Sequence, residues 1–415
     1  MFKKIIYNTG SQVIGKIVSA ASTLIITLLI GRSLGPAGFG EFTKIFVFIG
    51  YFYTFADFGF NSIYVKEKSA NGLFRILIGL RIILSIILSL SAIVISFLLP
   101  FNPQNSIGFS PQVKVGILIA SLTIVTYALT TTANALFQKR LRYDLSAIST
   151  VFGSTAMIVA SLFLYLTTRS LLPYIFVYIL GGITYTAASF TIIAKKFKQS
   201  LSPVLDYEQF KSLIFSSWPI GIALILNLVY FRIDVLILAN YKESAEVGLY
   251  GLGYQFFQTA LAVPIFFANA LFPILANQYK KNINEFNKTY KFWLVNLIIV
   301  SLGLSAFLVI ISYLIPIVYD SRYIGAGIAL RILSLGMPFF FISALLWHLL
   351  IIYNKQKLLI YIYATGAVFN LVANLYFIPI YGFIAASTIT VISEVLVTLL
   401  LILSLRREQF SAHHL

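Results

Sequence analysis

The feature that most constrains this chain is a succession of apolar stretches, each long enough to cross a lipid bilayer. A crossing helix needs about 20 mainly apolar residues, and twelve segments of the 415-residue chain meet this requirement. The predicted spans are residues 11–30, 42–63, 76–99, 114–137, 145–167, 174–194, 212–240, 248–275, 292–318, 326–352, 358–378 and 382–403. Backbone groups in hydrocarbon must be satisfied within each segment, and the alternating pattern of a barrel strand is missing. The sequence therefore predicts an all-α integral membrane protein with about twelve transmembrane helices.

The composition supports this assignment and excludes several kinds of function. Hydrophobic residues make up 59% of the chain and charged residues 10%, whereas soluble domains carry about 25% charged residues. The chain has no cysteine and three histidines, which excludes disulfides, thiolate metal sites and cysteine nucleophiles. It has neither a nucleotide-binding P-loop nor a His-x-x-His motif. The net charge of +17 is scattered through short loops, so no nucleic-acid partner is expected. We expect a transporter, not an enzyme, without cofactor or metal.

The distribution of lysine and arginine predicts the orientation of the chain. These residues accumulate in the cytoplasmic segments of membrane proteins. With a cytoplasmic N-terminus, the segments on that side hold 20 of the 30 lysines and arginines, and the outer segments hold four. The four outer residues are Arg32, Arg169, Lys242 and Arg322. We therefore expect both termini to be cytoplasmic.

The longest connection divides the chain near its middle. Residues 195–211 are polar and separate the first six predicted spans from the last six. A weak similarity at an offset of 208 residues aligns the turn near Ala37 with the turn near Ala245. Each half has an even number of spans, so both halves begin in the cytoplasm, as parallel repeats do. The predicted domains are an N-terminal six-helix bundle (1–198), a cytoplasmic linker (199–211) and a C-terminal six-helix bundle (212–415).

Ionisable side chains inside the spans are candidates for function, because a charge in hydrocarbon is costly unless it faces protein or water. In the first span Lys16 shares one helix face with Gln12, Ser19, Thr23 and Thr27. A polar stripe of this length indicates a helix that faces water or a polar partner.

Two later spans carry similar stripes around a carboxylate. Asp234 follows Asn227 and Tyr230 at helical spacing, and Glu394 follows Ser387 and Thr390. We favour an aqueous central cavity for Lys16, Asp234 and Glu394, and the alternative is hydrogen bonding between helices. Both interpretations are equally open for Asp57 and Arg331.

Four other ionisable residues lie near span ends. Lys44 and Lys114 are expected to reach the outer interface, and Arg81 and His348 the inner interface, by extending their polar ends toward water. These four residues are therefore not candidates for a site.

Short turn motifs recur along the chain in a characteristic order. The first is Gly31–Phe42 (GRSLGPAGFGEF), which contains an Arg-x-Leu-Gly-Pro-x-x-x-Gly pattern, and the others follow at intervals to the end of the chain. They are residues 57–60 (DFGF), 232–234 (RID), 247–250 (VGLY), 270–273 (ALFP), 319–323 (YDSRY), 330–333 (LRIL), 370–374 (NLVAN) and 378–386 (IPIYGFIAA). This series resembles the polysaccharide-transport family, the Wzx-type O-antigen flippases of the multidrug, oligosaccharidyl-lipid and polysaccharide (MOP) exporter superfamily.

The resemblance implies a V-shaped, MATE-like pair of six-helix bundles in the bacterial cytoplasmic (inner) membrane. It implies export of an isoprenoid-pyrophosphate-linked oligosaccharide repeat unit by alternating access. The implied partners are the lipid bilayer and the lipid-linked oligosaccharide, and the repeat-unit polymerase and chain-length regulator are candidate protein partners.

A cavity for such a substrate would need cations to hold pyrophosphate or acidic sugars. The candidates for substrate binding are Lys16, Arg232 and Arg331. The candidates for coupling transport to a proton or sodium gradient are Asp57, Asp234 and Glu394, and an ion pair between Arg232 and Asp234 that only joins helices is the competing account.

Two other functions remain open from the sequence. A drug or cation exporter of the same superfamily would have the same number of helices, but the turn motifs fit the polysaccharide branch better. A membrane-embedded polymerase or ligase of repeat units is expected to carry a large outer loop with catalytic arginines and histidines. The predicted outer loops here are short and nearly uncharged.

Overall fold

The computed structural model describes residues 2–67 and 72–412, with side chains described for 15–67 and 72–405. The helices are α1 (Phe2–Asp57), α2 (Phe60–Lys66), α3 (Leu73–Leu98), α4 (Pro111–Ala120), α5 (Leu122–Lys139), α6 (Tyr143–Thr167), α7 (Leu171–Phe197), α8 (Tyr207–Tyr241), α9 (Ser244–Ala260), α10 (Ala262–Lys281), α11 (Ile283–Val318), α12 (Ile324–Ser334), α13 (Met337–Ile352) and α14 (Gln356–Ala412). A 3-10 turn (Ser321–Tyr323) precedes α12, and two short strands, β1 (Phe101–Asn102) and β2 (Ile107–Gly108), form an antiparallel hairpin. The side chains of residues 1–14, 68–71 and 406–415, including the predicted stripe residue Gln12, lie outside the described residues.

The predicted all-α membrane fold is confirmed. Nine described helices are long and apolar enough to cross a membrane, or up to ten if the bent pair α12 and α13, which meet at 43°, forms one span. Two of these helices, Gly15–Lys66 and Gln356–Leu405, have 52 and 50 residues. At about 1.5 Å per residue each is more than twice the length that a bilayer requires. Each contains two predicted spans, and the count of twelve stays a prediction.

The first long helix, α1, reverses direction at Gly35. Gly35 has φ 67° and ψ −179°, a conformation that side chains with a Cβ rarely adopt. Before the turn α1 runs alongside α6, since Ser33 bonds the Thr168 carbonyl at 3.1 Å. After the turn it runs alongside α4 and α5, since Tyr53 bonds Thr123 at 2.6 Å. Because α5 and α6 are consecutive helices joined by a three-residue turn, the two halves of α1 are antiparallel.

The last long helix, α14, is also a hairpin, with its turn at Gly382 (φ 58°, ψ −138°). The side chains of Asn370 and Ser393 are hydrogen-bonded at 3.0 Å. One turn farther from Gly382, a Cβ placed on Gly366 would lie 2.5 Å from Val397. The two halves of α14 therefore pack antiparallel along their lengths.

The chain divides into two compact units. The first unit comprises Met1–Leu228 with Glu243–Ala245, and the second comprises Val229–Lys242 with Glu246–Leu415. The first unit has a buried cluster that includes Phe60, Leu77, Phe137, Ile193 and Leu213. The predicted domain boundaries, which follow the span count, stay a prediction.

The segment between α7 and α8 is held by the first unit. The Val204 N–H donates to the Arg75 carbonyl at 3.1 Å, and Arg75 Nε donates to the Ser202 carbonyl at 3.0 Å. Gly79 allows this close approach, because a Cβ there would lie 2.3 Å from the Val204 carbonyl oxygen. Residues 202–204 are thus fixed against the start of α3.

Large apolar side chains also cover much of the outer surface of the helices. On α11, for example, Ile299, Leu302, Phe307 and Ile310 are all exposed. In water such a surface would be unfavourable by about 25 cal/mol per Å². These faces are suited to contact with lipid tails.

Candidate functional site

The first unit contains a cavity of about 560 Å³ with a polar lining. Its walls come from α1, α5, α6 and α7, and they are rich in tyrosine, threonine, serine and carboxamide side chains. The polar lining residues are Lys16, Ser19, Tyr53, Thr123, Thr126, Tyr127, Thr130, Asn134, Gln138, Tyr143, Ser146, Thr150, Ser154, Tyr178 and Tyr185. Among the described residues of this lining, Lys16 is the only charged one.

Close packing of α6 and α7 sets the shape of one wall. A Cβ on Gly153 would lie 2.9 Å from Tyr185 Cβ, and a Cβ on Gly181 would lie 2.2 Å from Met157. Either added Cβ would force its neighbour to move, so the two glycines permit the contact. The Tyr185 hydroxyl thereby reaches Asn134 on α5 at 3.0 Å.

The opposite wall carries two stacked tyrosines. The rings of Tyr53 and Tyr127 have centroids 4.5 Å apart and planes 17° apart. The Tyr53 hydroxyl is fixed by its 2.6 Å hydrogen bond with Thr123. Aromatic rings that are held in this way offer apolar faces beside polar hydroxyls.

The polar stripe predicted around Lys16 is only partly in the cavity. Lys16 and Ser19 line it, as the aqueous interpretation requires. Farther along α1, Thr23 donates to the Ser19 carbonyl at 2.8 Å and Thr27 donates to the Thr23 carbonyl at 2.9 Å. Gln12 lies outside the described side chains. The hydroxyl groups of Thr23 and Thr27 therefore donate their hydrogen bonds within α1.

Asp57 forms an ion pair within the first unit. Arg81 Nη2 donates to Asp57 Oδ1 at 3.0 Å. The guanidinium is fully buried, whereas the carboxylate side chain is 28% exposed. Arg81 also donates to Thr132 Oγ1 at 3.3 Å, and its Nε has no partner among the described residues. Of the two interpretations left open for Asp57, this geometry favours the structural one.

The expectation that Lys44, Arg81 and His348 extend toward water is wrong. Lys44 and Arg81 are 0% exposed and His348 is 7% exposed. Lys44 Nζ donates to the Gly108 carbonyl at 2.7 Å, and His348 lies 3.2 Å from Asn269 Oδ1. Lys44 and His348 thus bond protein groups in the interior. Lys114, in contrast, is only partly buried and bonds the Phe97 carbonyl at 3.3 Å.

Asp234 and Glu394 lie between packed helices of the second unit and are 2% exposed. Asp234 accepts hydrogen bonds from the Tyr250 hydroxyl and, at 3.3 Å, from Thr390. Glu394 accepts from Tyr230 at 2.8 Å and also from Ser343. The predicted stripes on α8 and α14 therefore face each other and do not line the polar cavity of the first unit, because hydroxyl donors from neighbouring helices take the place of water.

The two predicted arginines of the second unit each lie against an aromatic ring. Arg232 donates to Gln258 and lies 4.6 Å from the centroid of Tyr254. Arg331 lies 4.7 Å from the centroid of Tyr313. Within the described part of the chain, no direct ion pair joins Arg232 to Asp234, which disfavours the competing ion-pair account. Lys16 belongs to the first unit and both arginines to the second.

Sequence reasoning missed several polar partners. Ser343 carries no signal, because isolated hydroxyl residues are common in apolar helices. Tyr250, Asn370 and Asn374 belong to the turn motifs 247–250 and 370–374, but those motifs indicated a family and not a contact, although the spacing of four places both amides on one helix face. Both are buried, and Asn374 Nδ2 donates to Asn370 Oδ1 at 3.0 Å.

Comparison with known families and structures identifies the class of protein. The family model described as polysaccharide biosynthesis protein matches residues 1–279. A second family model, MatE, matches residues 219–376. No curated protein matches the chain.

Several solved transporters share the fold. The lipid II flippase MurJ in an inward closed conformation has a TM-score of 0.74 at 17% identity, covering 97% of this chain and 87% of that one. An inward-facing multidrug resistance MATE transporter has a TM-score of 0.74 at 12% identity, covering 97% and 98%. A MOP-superfamily transporter from Pyrococcus furiosus has a TM-score of 0.64 at 14% identity, covering 98% and 95%. At these identities the likeness establishes the fold alone.

The two family models together span most of the chain, and the first alone covers more than half of it. The resemblance seen in the turn motifs is confirmed, and the chain belongs to the polysaccharide biosynthesis protein family.

Proposed function

We propose that the protein translocates an undecaprenyl-pyrophosphate-linked oligosaccharide repeat unit across the bacterial cytoplasmic membrane. The unit would pass from the cytoplasmic to the outer leaflet by alternating access and supply O-antigen, capsule or exopolysaccharide synthesis. The single observation that carries this proposal is the polar, tyrosine-rich cavity of the first unit.

The lining of this cavity suits a glycan. Sugar rings combine hydroxyl groups with apolar C–H faces, and they are bound by carboxamides and hydroxyls together with aromatic rings. The stacked Tyr53 and Tyr127 offer such a ring, and Asn134 and Gln138 offer amides. A volume of about 560 Å³ falls within the range of about 300–1,000 Å³ for ligand pockets.

The charge of the lining disfavours a cationic drug as the substrate. A positively charged compound is bound best in a site that offers carboxylates or electron-rich rings and contains no other cation. The described residues that line the cavity include Lys16 and no aspartate or glutamate. This favours a neutral or anionic cargo over the drug or cation exporter alternative.

The cationic candidates would hold the anionic parts of the cargo. Lys16 lies in the glycan cavity, where an ammonium group attracts a phosphate or an acidic sugar. Arg232 and Arg331 are each partly buried beside a tyrosine, and a guanidinium can bind phosphate oxygens while it stacks on a ring. Replacement of Lys16 by alanine should weaken export without changing its dependence on an ion gradient.

The buried carboxylates of the second unit are our candidates for coupling to protons or sodium. Asp234 and Glu394 accept hydrogen bonds only from hydroxyl and backbone N–H groups among the described residues. A buried carboxylate that no cation contacts directly is stabilised by taking up a proton or a metal ion. Asp234→Asn should therefore be produced at normal levels yet lose gradient-dependent export. Full export with unchanged gradient dependence would show that Asp234 is structural.

Deletion of the gene tests the proposed cargo. We expect lipid-linked repeat units to accumulate in the cytoplasmic leaflet and surface polysaccharide to disappear, with restoration by the wild-type gene. The units can be located by their accessibility to a membrane-impermeant glycan-modifying enzyme in sealed spheroplasts. Accumulation of flipped but unpolymerised units would instead indicate a polymerase. Co-purification of the pathway's polymerase or chain-length regulator would test the candidate partners.

A further inference from the structure

Asn134 is held in one orientation by two other helices. Its side-chain oxygen accepts a hydrogen bond from Ser146 on α6 at 2.7 Å and another from Tyr185 on α7 at 3.0 Å. The two hydroxyl oxygens are 3.3 Å apart. A carboxamide oxygen has two lone pairs, so both acceptor positions of Asn134 are occupied.

The amide nitrogen of Asn134 is left as a donor at the cavity. Because the oxygen is fixed toward Ser146 and Tyr185, the Nδ2 group points away from both hydroxyls. No residue in the described part of the chain accepts a hydrogen bond from it. Asn134 lines the cavity, and its nitrogen is not among the buried polar atoms that lack a partner. It is therefore accessible to a ligand.

This arrangement restricts what Asn134 can recognise. An asparagine with a free oxygen and a free nitrogen can accept from one sugar hydroxyl and donate to the next. Here the oxygen is already used, so Asn134 can only donate. A carbonyl or carboxylate oxygen accepts such a bond without requiring an acceptor in return, whereas a hydroxyl brings a proton that also needs a partner.

We propose that Asn134 selects repeat units whose sugar presents a carbonyl-type oxygen, either the carboxylate of a uronic acid or the acetamido group of an N-acetylated sugar. This inference rests on the proposed function, because it assigns the cavity to a glycan. Lys16 and Gln138 line the same cavity. Asn134 thus acts as a specificity-determining residue in the wall of the cavity.

The sharpest variant is Asn134→Asp. Aspartate keeps an oxygen that accepts from Ser146 and Tyr185, so the packing of α5, α6 and α7 is retained. It replaces the donor by an acceptor and adds a negative charge. Asn284→Asp is the matched control, since Asn284 is exposed at the start of α11 and lies far along the chain from the cavity.

A second variant, Tyr185→Phe, tests the fixed orientation. It removes one of the two donors to the Asn134 oxygen and leaves the ring in place. The carboxamide can then offer its oxygen to a sugar hydroxyl. Selectivity for carbonyl-type substituents should fall because binding of an unsubstituted sugar improves.

The binding measurement uses three free monosaccharides, glucuronate, N-acetylglucosamine and glucose, titrated by ligand-observed NMR against the purified full chain in detergent. We expect the wild-type protein to bind glucuronate or N-acetylglucosamine at least about fivefold more tightly than glucose. Loss of one hydrogen bond in a polar site lowers affinity by about tenfold, so Asn134→Asp should weaken the preferred sugar by this factor. Binding of glucose should change less than about twofold.

The outcome separates the two sources of the carbonyl oxygen. Preference for glucuronate assigns an acidic sugar, and preference for N-acetylglucosamine assigns an acetamido sugar. Equal binding of all three sugars, binding of none, or an equal effect of Asn134→Asp on all three would overturn the proposal. An effect of Asn284→Asp as large as that of Asn134→Asp would overturn it as well.

Failure of the proposed function gives a different pattern. If wild-type protein selects among the sugars but deletion of the gene leaves surface polysaccharide intact, the Asn134 site stands and the flippase function falls. If deletion blocks the polysaccharide but Asn134→Asp has no selective effect, the function stands and the role of Asn134 falls.

Discussion

The ion pair between Asp57 and Arg81 allows a test of whether Asp57 stabilises the fold or couples transport to an ion gradient. Asp57 is a candidate for ion coupling, yet its carboxylate lies 3.0 Å from a fully buried guanidinium. The perturbation is a double-mutant cycle with Asp57→Asn, Arg81→Met and the combined variant. Asparagine keeps an oxygen at the position of Asp57 Oδ1 but removes the negative charge.

The structure sets the expected magnitudes. Loss of one partner of a buried ion pair costs about 3–5 kcal/mol, mainly because the other charge is left uncompensated. Arg81 keeps two acceptors after Asp57→Asn, the Thr132 hydroxyl and the backbone carbonyl of residue 57. The cost should therefore be near the lower end, about 3 kcal/mol. Arg81→Met leaves a carboxylate that is 28% exposed and can stay hydrated, so we expect about 1–2 kcal/mol.

The decisive comparison is between the stability of the combined variant and that of Asp57→Asn alone. It removes the buried cation that Asp57→Asn leaves uncompensated, so it should be more stable than Asp57→Asn alone by about 1–2 kcal/mol. Free energies of unfolding can be measured by titration with SDS in mixed micelles, followed by tryptophan fluorescence. Polysaccharide export is measured in cells that produce each variant at matched levels.

Two results would refute this reasoning. Additive losses of stability would show that the two side chains do not stabilise each other. Normal stability of Asp57→Asn together with loss of export would assign Asp57 to transport. Restored stability and restored export in the combined variant would identify the pair as structural.

Three further outcomes are expected. Gly382→Ala should destabilise the protein by about 1–2 kcal/mol or more, because the φ of Gly382 is positive and an added Cβ would meet the Glu246 carboxylate. The control is Gly303→Ala, since Gly303 has open space around it. Equal stability of the two variants in SDS titration would contradict the turn geometry. Glu394→Gln should be produced at normal levels but lose gradient-dependent export, which is measured with and without an uncoupler. Unchanged dependence of export on the gradient would mean that the carboxylate only joins helices. Reporter fusions at residues 202 and 105 should report opposite sides of the membrane, and the same side for both would contradict the predicted orientation.

The helical membrane fold could be predicted because it follows from the length and apolarity of each segment. Most residues of the predicted spans are helical, although the spans 42–63, 114–137, 248–275 and 326–352 each cross a break between two helices. The two short turns at Gly35 and Gly382 lie where Gly-Pro or Pro-x-x-Gly sequences interrupt an apolar run. Hydropathy responds to average composition over about 20 residues. It therefore identified spans well and could not indicate how their polar faces pair.

Polar contacts were predicted less well, for a physical reason. Helical spacing placed Tyr230 with Asp234 and Thr390 with Glu394 on common faces, and both stripes exist. Whether a stripe meets water or another stripe depends on which helices are neighbours, and a single sequence does not contain that information. The same limit applies to Arg81, whose acceptor Asp57 is 24 residues away in the chain.

The hairpin form of α14 has a consequence for how the protein enters the membrane. Asn370, on its first half, and Ser393, on its second half, are hydrogen-bonded to each other. An amide group that moves from water into hydrocarbon by itself loses its hydrogen bonds, whereas an amide group that moves together with its hydrogen-bond partner keeps one. The two halves should therefore be released laterally by the insertion machinery as a pair. The two halves of α14 would then be integrated in a single event, after synthesis has passed residue 393.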